Sequence, residues 1–266
     1  MNLDAIKKEI FVSCPFDLLK KKYLKKIIEE GINPEIGLNG TVLDDYTFRD
    51  FKDVFKELDS SMVRCTIHAP FTDVSIGAID KRIRAVSIDR LKMAMDIAVL
   101  FDAVDMVFHS GWERKIYADV TDKWLDNATD SLFEICEYAK GSNIRIMLEN
   151  VFELGPSLHL ELFSRVDHEV LGFCLDAGHV YAFSDTELNK WIETLGDKIG
   201  HLHLHDNKGS EDDHLAPGDG IIDFDMIFSW LSKRGIRPVF TLEAHDEESV
   251  IPGLMAIGKL IDKYYK

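Results

Sequence analysis

Short apolar runs alternate with amphipathic stretches along the whole chain, and that rhythm leaves few folds open. Runs with strand character lie near Glu9–Ser13, Pro34–Leu38, Arg64–His68, Val104–His109, Ile144–Glu149, Val170–Asp176, Ile199–His205 and Pro238–Glu243. Helical patterning fills the gaps, near Asp17–Glu30, Tyr46–Leu58, Lys81–Leu100, Asp122–Lys140, Leu158–Arg165, Asp185–Leu195, Asp223–Lys233 and Glu247–Lys263. Strands that alternate with helices predict a parallel sheet with crossover helices. In Lys81–Leu100, the residues Ile83, Val86, Ile88, Leu91, Met95, Ile97 and Leu100 are expected on the core side. Gly31, Gly141, Gly196 and Gly235 stand where these helices should stop. Eight strands and eight helices in 266 residues fit an α/β (β/α)8 barrel, whose usual length is about 250 residues. An open doubly wound sheet fits less well, because no glycine-rich phosphate loop follows the first strand. Neither linker nor repeat interrupts the alternation, so residues 1–266 are expected to form one domain.

Six of the strands end on a residue that can bind a divalent metal. They read Thr66-Ile-His68, Met106-Val-Phe-His109, Ile146-Met-Leu-Glu149, Phe173-Cys-Leu-Asp176, His201-Leu-His203 and Phe240-Thr-Leu-Glu243. In a parallel barrel the strand C-termini share one face, where such enzymes place their chemistry. Any one such residue has an ordinary explanation as a hydrogen-bonded polar group. Six in the same position on six strands do not. Further ligands follow at short spacing: His179 three residues after Asp176, then Asp212 and His214 on the stretch Asp206–Ile222, the longest without helical pattern. Long loops in compact domains are usually functional. His68, His109, Glu149, Asp176, His179, His203, Asp212, His214 and Glu243 are thus candidate ligands of oxygen and nitrogen type. They suit Zn, Mn, Mg or Co, two or three ions per chain.

In the seventh strand His201, His203 and His205 share the inward face, since strand side chains alternate. His203 is the expected ligand, His201 a core residue one layer deeper, and His205 a group facing substrate or supporting a ligand. Lys208 is a further candidate for substrate contact, and Glu35 in the second strand is either another or a structural carboxylate. His159, His168 and His245 are expected at the surface.

The formal net charge of −16 argues against a broad nucleic-acid surface, because phosphate affinity comes largely from Lys and Arg. The cluster Lys81, Arg82, Arg84 and Arg90 reads as a solvated helix face. No apolar stretch reaches the roughly 18 residues of a membrane span. The first residues lack the basic-then-apolar layout of a signal peptide. Cys14, Cys65, Cys136 and Cys174 have neither metal-knuckle nor disulfide spacing. A soluble cytoplasmic protein is the expectation.

The motifs together carry a resemblance. His68-Ala-Pro, His109-Ser-Gly, Leu148-Glu-Asn, Asp176-Ala-Gly-His, His203-Leu-His-Asp-Asn-Lys and Asp212-Asp-His-Leu-Ala-Pro-Gly-Asp-Gly resemble the set found in xylose isomerase-like TIM barrels. That superfamily includes sugar and sugar-phosphate isomerases, ketose 3-epimerases and the endonuclease IV class of abasic-site nucleases. The isomerase and epimerase branch implies Glu149, Asp176, His203 and Glu243 as principal metal ligands. It also implies the two glutamates as proton shuttles and His179 as a substrate contact. The nuclease branch implies three zincs. His68, His109 and Glu149 would hold one, Glu149, Asp176, His203 and Glu243 the second, and His179, Asp212 and His214 the third. Each branch meets departures. The arginine that some epimerases carry after the seventh strand is replaced by Lys208-Gly209. On the nuclease side, His205 stands where an asparagine is usual, and the turns after the fifth and sixth strands differ. The departures from the nuclease pattern, with the acidic balance, favour small-molecule chemistry: a divalent-metal-dependent isomerase or epimerase of a sugar, sugar phosphate or related polyol. An abasic-site phosphodiesterase is the alternative. A barrel that merely binds its ligand would not need both Glu149 and Glu243. The resemblance admits a homo-oligomer, though no interface is legible.

Overall fold

The computed structural model describes every residue from Met1 to Lys266. Its eight strands are β1 (Ile10–Pro15), β2 (Asn33–Gly37), β3 (Thr66–His68), β4 (Asp105–His109), β5 (Arg145–Glu149), β6 (Leu171–Asp176), β7 (Ile199–Leu204) and β8 (Val239–Leu242). They pair in sequence order as a closed barrel, every pair parallel, with β1 completing the ring against β8. This is a (β/α)8 TIM barrel. No helix is long and apolar enough to cross a membrane.

Alternation along each strand divides the core in two. In β4 the outward Met106 and Phe108 join the main apolar cluster between barrel and helices, while the inward Val107 packs with Met147 and Cys174 inside the barrel. That interior is unusually polar. Glu35, Thr66, Asp105, His201 and Thr241 are all buried within it. Barrel interiors are ordinarily filled with bulky apolar side chains, so each of these polar groups requires a partner.

Register then sets the height of the site. His109 is level with Glu149 across β4 and β5, and Asp176 with His203 across β6 and β7. Glu243 follows the last residue of β8, and its N–H donates to the Leu204 carbonyl at 3.3 Å.

Several helices depart from expectation. Leu3–Glu9 is helical, capped by the Asn2 side chain, so β1 starts at Ile10 and runs on to Pro15. Short helices also form at Gly40–Asp45 and Ala177–Phe183. At six or seven residues each, they are too brief for a periodic signal. The stretch from Phe16 to Glu30 is helical as expected but passes through a π segment at Leu19–Tyr23. Gly31 closes it with φ of 64°, whereas Gly196 stays right-handed at −56° and leads into a short 3-10 turn. In Lys81–Leu100, Ile83 and Val86 are exposed, contrary to their expected core position. Ser87 occupies that inward position instead, its hydroxyl accepting the Ser75 N–H and donating to the Ile83 carbonyl. Arg90 on this helix grips Asp44 through two bonds of 2.6 and 2.8 Å, and Lys81 and Arg82 face solvent. All four cysteines are buried and free.

Candidate metal centre at the barrel mouth

Glu149, the last residue of β5, is 1% exposed and sits among four imidazoles. Its Oε2 lies 3.2 Å from His68 Nε2 and 3.0 Å from His109 Nε2. Its Oε1 lies 3.1 Å from His203 Nδ1 and 3.3 Å from His179 Nδ1. Strands β3, β4, β5 and β7 and the short helix after β6 therefore meet on one carboxylate.

Asp176 extends the cluster from β6. Its Oδ2 is 3.0 Å from His205 Nε2, 3.6 Å from His179 Nδ1 and 3.9 Å from His203 Nδ1. Glu243 reaches in from the end of β8, 3.5 Å from His203 Nδ1 and 3.8 Å from His205 Nε2. The long loop after β7 supplies Asp212, whose Oδ2 is 3.1 Å from His214 Nε2 and 3.5 Å from His179 Nε2. All nine ligand candidates are thus gathered in one continuous cluster.

The spacing suits metal. Two ligands each about 2.0–2.1 Å from a tetrahedral ion stand about 3.3 Å apart. Groups with ligand atoms within 4.8 Å of one another include His68–His109–Glu149, Asp176–His179–His205, His205–Asp212–His214, Glu149–Cys174–His203 and Glu35–His201–His203. The first is an expected ligand set in full and the third matches one in part; His205, in the second and third, was expected only beside the ligands. His109 Nε2 and Asp212 Oδ1 are buried without a hydrogen-bond partner, as donor atoms awaiting an ion would be.

Charge in the cluster is finely opposed. Burial resists ionisation of Glu149, yet His203 and His109 hold its carboxyl well below the usual range. For Asp176 burial is likewise outweighed, by His179 and His205, and the carboxyl settles at about 2. Burial disfavours the His179 imidazolium, but Asp176, Asp212 and Glu149 raise it well above its ordinary value. For His109 burial prevails over Glu149, and the ring is pushed towards neutrality.

Remaining candidates fall at different depths. His205 is fully buried, with its Nε2 on Asp176, and its ring stacks on His214 at 3.9 Å. Gly178 lets that ring approach, for a Cβ there would stand 2.0 Å from His205 Cε1. Glu35 lies beneath His203, fully buried. Lys208 is exposed on the loop, its N–H donating to Asp213. His201 is a core residue, as expected, bonded to Asp105 on one side and Thr241 on the other. His159 corrects the expectation of a surface residue. It is fully buried, packed against Phe173 and Trp191, with Nε2 3.2 Å from the Glu149 carbonyl. His168 is partly buried against Glu137, and His245 is exposed but stacks on His214 at 3.8 Å.

Sequence reasoning passed over the groups that hold the ligands in place. Asn150 bonds both backbone groups of Asp176, and its own carbonyl accepts from His179 Nδ1 at 2.8 Å. Asp206 accepts from the N–H groups of Asn207, Gly218 and Ile222, pinning the loop that carries Asp212 and His214. Glu153 takes the Ser110 hydroxyl and the Val151 N–H, joining the turns that follow β4 and β5. Asn150, Asp206 and Ser110 lie inside the motifs that carry the resemblance, the one signal that pointed to them.

Residues 30–263 match the profile of the xylose isomerase-like TIM barrel. The chain belongs to that family. Among relatives of this xylose isomerase-like protein, an uncharacterized protein of Methanocaldococcus jannaschii, MJ1311, is 30% identical over 202 residues, 73% of this chain and 69% of its own. Fructoselysine 3-epimerase of Escherichia coli O157:H7 is 28% identical over 182 residues, 62% of this chain and 61% of the enzyme. The crystal structure of a D-tagatose 3-epimerase-like protein superimposes with a TM-score of 0.84 at 25% identity, over 97% of this chain and 98% of that one.

Proposed function

We propose that the protein is a divalent-metal-dependent isomerase or epimerase of a sugar, sugar phosphate or related polyol, acting by proton transfer through an enediolate. Glu149, Asp176, His203 and Glu243 are the principal ligands in this reading, with Glu149 and Glu243 as the acid/base pair. One observation carries it: a single nitrogen, His203 Nδ1, lies 3.1 Å from Glu149 and 3.5 Å from Glu243, so two carboxylates from different strands flank one centre. The epimerase relatives support the substrate class.

A bound divalent ion would withdraw electrons from a carbonyl and its neighbouring hydroxyl, making the adjacent C–H acidic. The residues do the rest. One glutamate, as carboxylate, takes that proton; the other, as carboxylic acid, returns one to carbon from its own side. The pair ends with its protonation exchanged and resets through solvent. His179 and His205, beside the ligands, would offer N–H groups to substrate hydroxyls. Lys208, exposed without an ion-pair partner, is available to a phosphate.

The test is solvent exchange. In deuterated water, candidate ketoses incubated with metal-loaded protein should lose one C–H signal by NMR. Glu149→Gln and Glu243→Gln should each slow that loss at least 100-fold. Full retained exchange in either variant removes that residue from the mechanism.

One feature favours a second reading. His68, His109, His179, Asp212 and His214 complete a nine-residue set that a single ion does not require, and three zincs would suit phosphodiester cleavage at abasic sites in DNA. Chelator-sensitive incision of a duplex carrying one abasic site, with three zincs by elemental analysis, would put this reading first. We take residues 1–266 as one domain. We also place the protein in the cytoplasm, where free buried thiols are ordinary.

A further inference from the structure

The geometry points to Glu35 as the positioning residue that fixes the tautomer and ring orientation of His203. This rests on the reading above, in which His203 is a metal ligand.

His203 projects inward from β7 and is fully buried. Its Nδ1 faces Glu149, Asp176 and Glu243, which makes Nδ1 the nitrogen turned towards the metal centre. An imidazole that ligates through Nδ1 must carry its proton on Nε2, and that N–H needs an acceptor. The carboxylate facing His203 Nε2 is Glu35, whose Oε1 stands 3.1 Å away. Both of these buried atoms are otherwise orphaned, without a hydrogen bond of full geometry to any group, so each faces the other as its open valence.

Glu35 is itself held. Its Oε2 accepts the Thr66 hydroxyl at 3.0 Å from β3 and the Thr241 hydroxyl at 3.1 Å from β8. Three strands thus lock the carboxylate with one oxygen left over, aimed at one ring nitrogen. The neighbouring His201 shows the contrast. Both of its nitrogens already have partners, Asp105 on Nδ1 and Thr241 on Nε2, so it has no lone pair free for a ligand. An ionised carboxylate inside the barrel is costly to desolvate, and a leucine of similar size would fill the space at less cost. A role in orienting His203 gives that buried charge a purpose which packing does not.

The experiment compares wild type with Glu35→Leu and Glu35→Gln. Dissociation constants for Zn2+ and Mn2+ are read by competition with a chelating dye. The protonated nitrogen of His203 is identified by long-range 1H–15N correlation in the zinc-loaded protein. Wild type should show the proton on Nε2. Glu35→Leu should weaken both ions about 10–100-fold, the usual range for losing a group that orients a ligand. Glu35→Gln, which keeps an acceptor, should recover most of the affinity and keep the proton on Nε2.

Unchanged affinity in Glu35→Leu, or a wild-type proton on Nδ1, overturns the assignment. A role in packing alone would lower the melting temperature of the metal-free variants and leave affinity and tautomer as in wild type, which also overturns it. Should Glu35→Leu not fold, Thr66→Val with Thr241→Val leaves Glu35 present but unpinned. That variant should lose affinity in the same direction, and no loss counts against the assignment. A wild type that takes up neither ion defeats the metal reading itself, a different result from tight wild-type binding that Glu35 does not influence.

Discussion

Asp176 takes on two kinds of contact with its two carboxylate oxygens. Oδ1 accepts the His179 N–H at 2.8 Å and so caps the helix Ala177–Phe183, while Oδ2 faces His179, His203 and His205. Structure and chemistry can be separated here by substitution. Asparagine caps helices as well as aspartate does, but it supplies no anionic oxygen. Asp176→Asn should keep the helix and lose most metal affinity. Asp176→Ala should lose the same affinity and destabilise the metal-free protein by about 1 kcal/mol more than the asparagine variant. Denaturant melts in chelator, beside metal titrations, check both; equal stability of the two variants would remove the capping role. This level of detail was only partly legible beforehand. A strand ending on aspartate with histidine three residues on suggests ligands, and the two residues do meet. Asn150 could not be read in the same way, because a side chain that bonds a neighbouring strand's backbone leaves no pattern in its own vicinity. For His159 the sequence does hold a signal: 159, 162, 163 and 166 share the helical spacing of a core face, and all four are buried.

At the scale of elements, the loop between β7 and the helix Phe224–Ser232 shows how an irregular segment acquires a fixed shape. Asp206 pairs with Leu215 through both backbone groups and receives three further N–H bonds on its carboxylate, so residues 206–222 fold back over the mouth. Gly220 must stay small for this, since a Cβ there would stand 2.2 Å from the Asn207 carbonyl. Asp206→Ala should leave these N–H groups unpaired, at about 1–3 kcal/mol for buried donors. Amide exchange should quicken across residues 207–220. Any metal held by Asp212 and His214 should be lost as they lose their places, while binding at Glu149, Asp176, His203 and Glu243 should persist. Unaltered amide protection would show that the loop is held by something else. The eight strands were legible because each joins an apolar run to a break signal. The loop's shape was not, because it depends on one aspartate bonding residues 12 and 16 positions away. Short helices such as Leu3–Glu9 escaped for the opposite reason, having too few residues to display a period.

For the molecule as a whole, the cluster is a concentration of charge that the fold must tolerate. Glu35, Glu149 and Asp176 are almost fully buried, inside a chain whose formal net charge is already −16. In the metal-free protein, imidazolium groups such as His179 balance these carboxylates. A divalent ion would replace those protons with a stronger and better-placed charge, and binding only the native state must stabilise it. At a free metal concentration 100 times the dissociation constant, the gain is about 2.7 kcal/mol per site. For a chain of this size that corresponds to a rise in melting temperature of about 5 °C. Scanning calorimetry with EDTA, and again after adding back Zn2+ or Mn2+, should show a loss and recovery of at least this size. More than one bound ion should enlarge the effect in step with the stoichiometry. Glu149→Gln should abolish most of the response, because that carboxylate is shared by four imidazoles from four parts of the barrel. A surface ion pair such as Arg165 with Asp126 should not matter, and Asp126→Asn is the control. A melting temperature indifferent to chelator and metal would mean that these side chains neutralise one another without an ion, and the barrel mouth would then need a different chemistry.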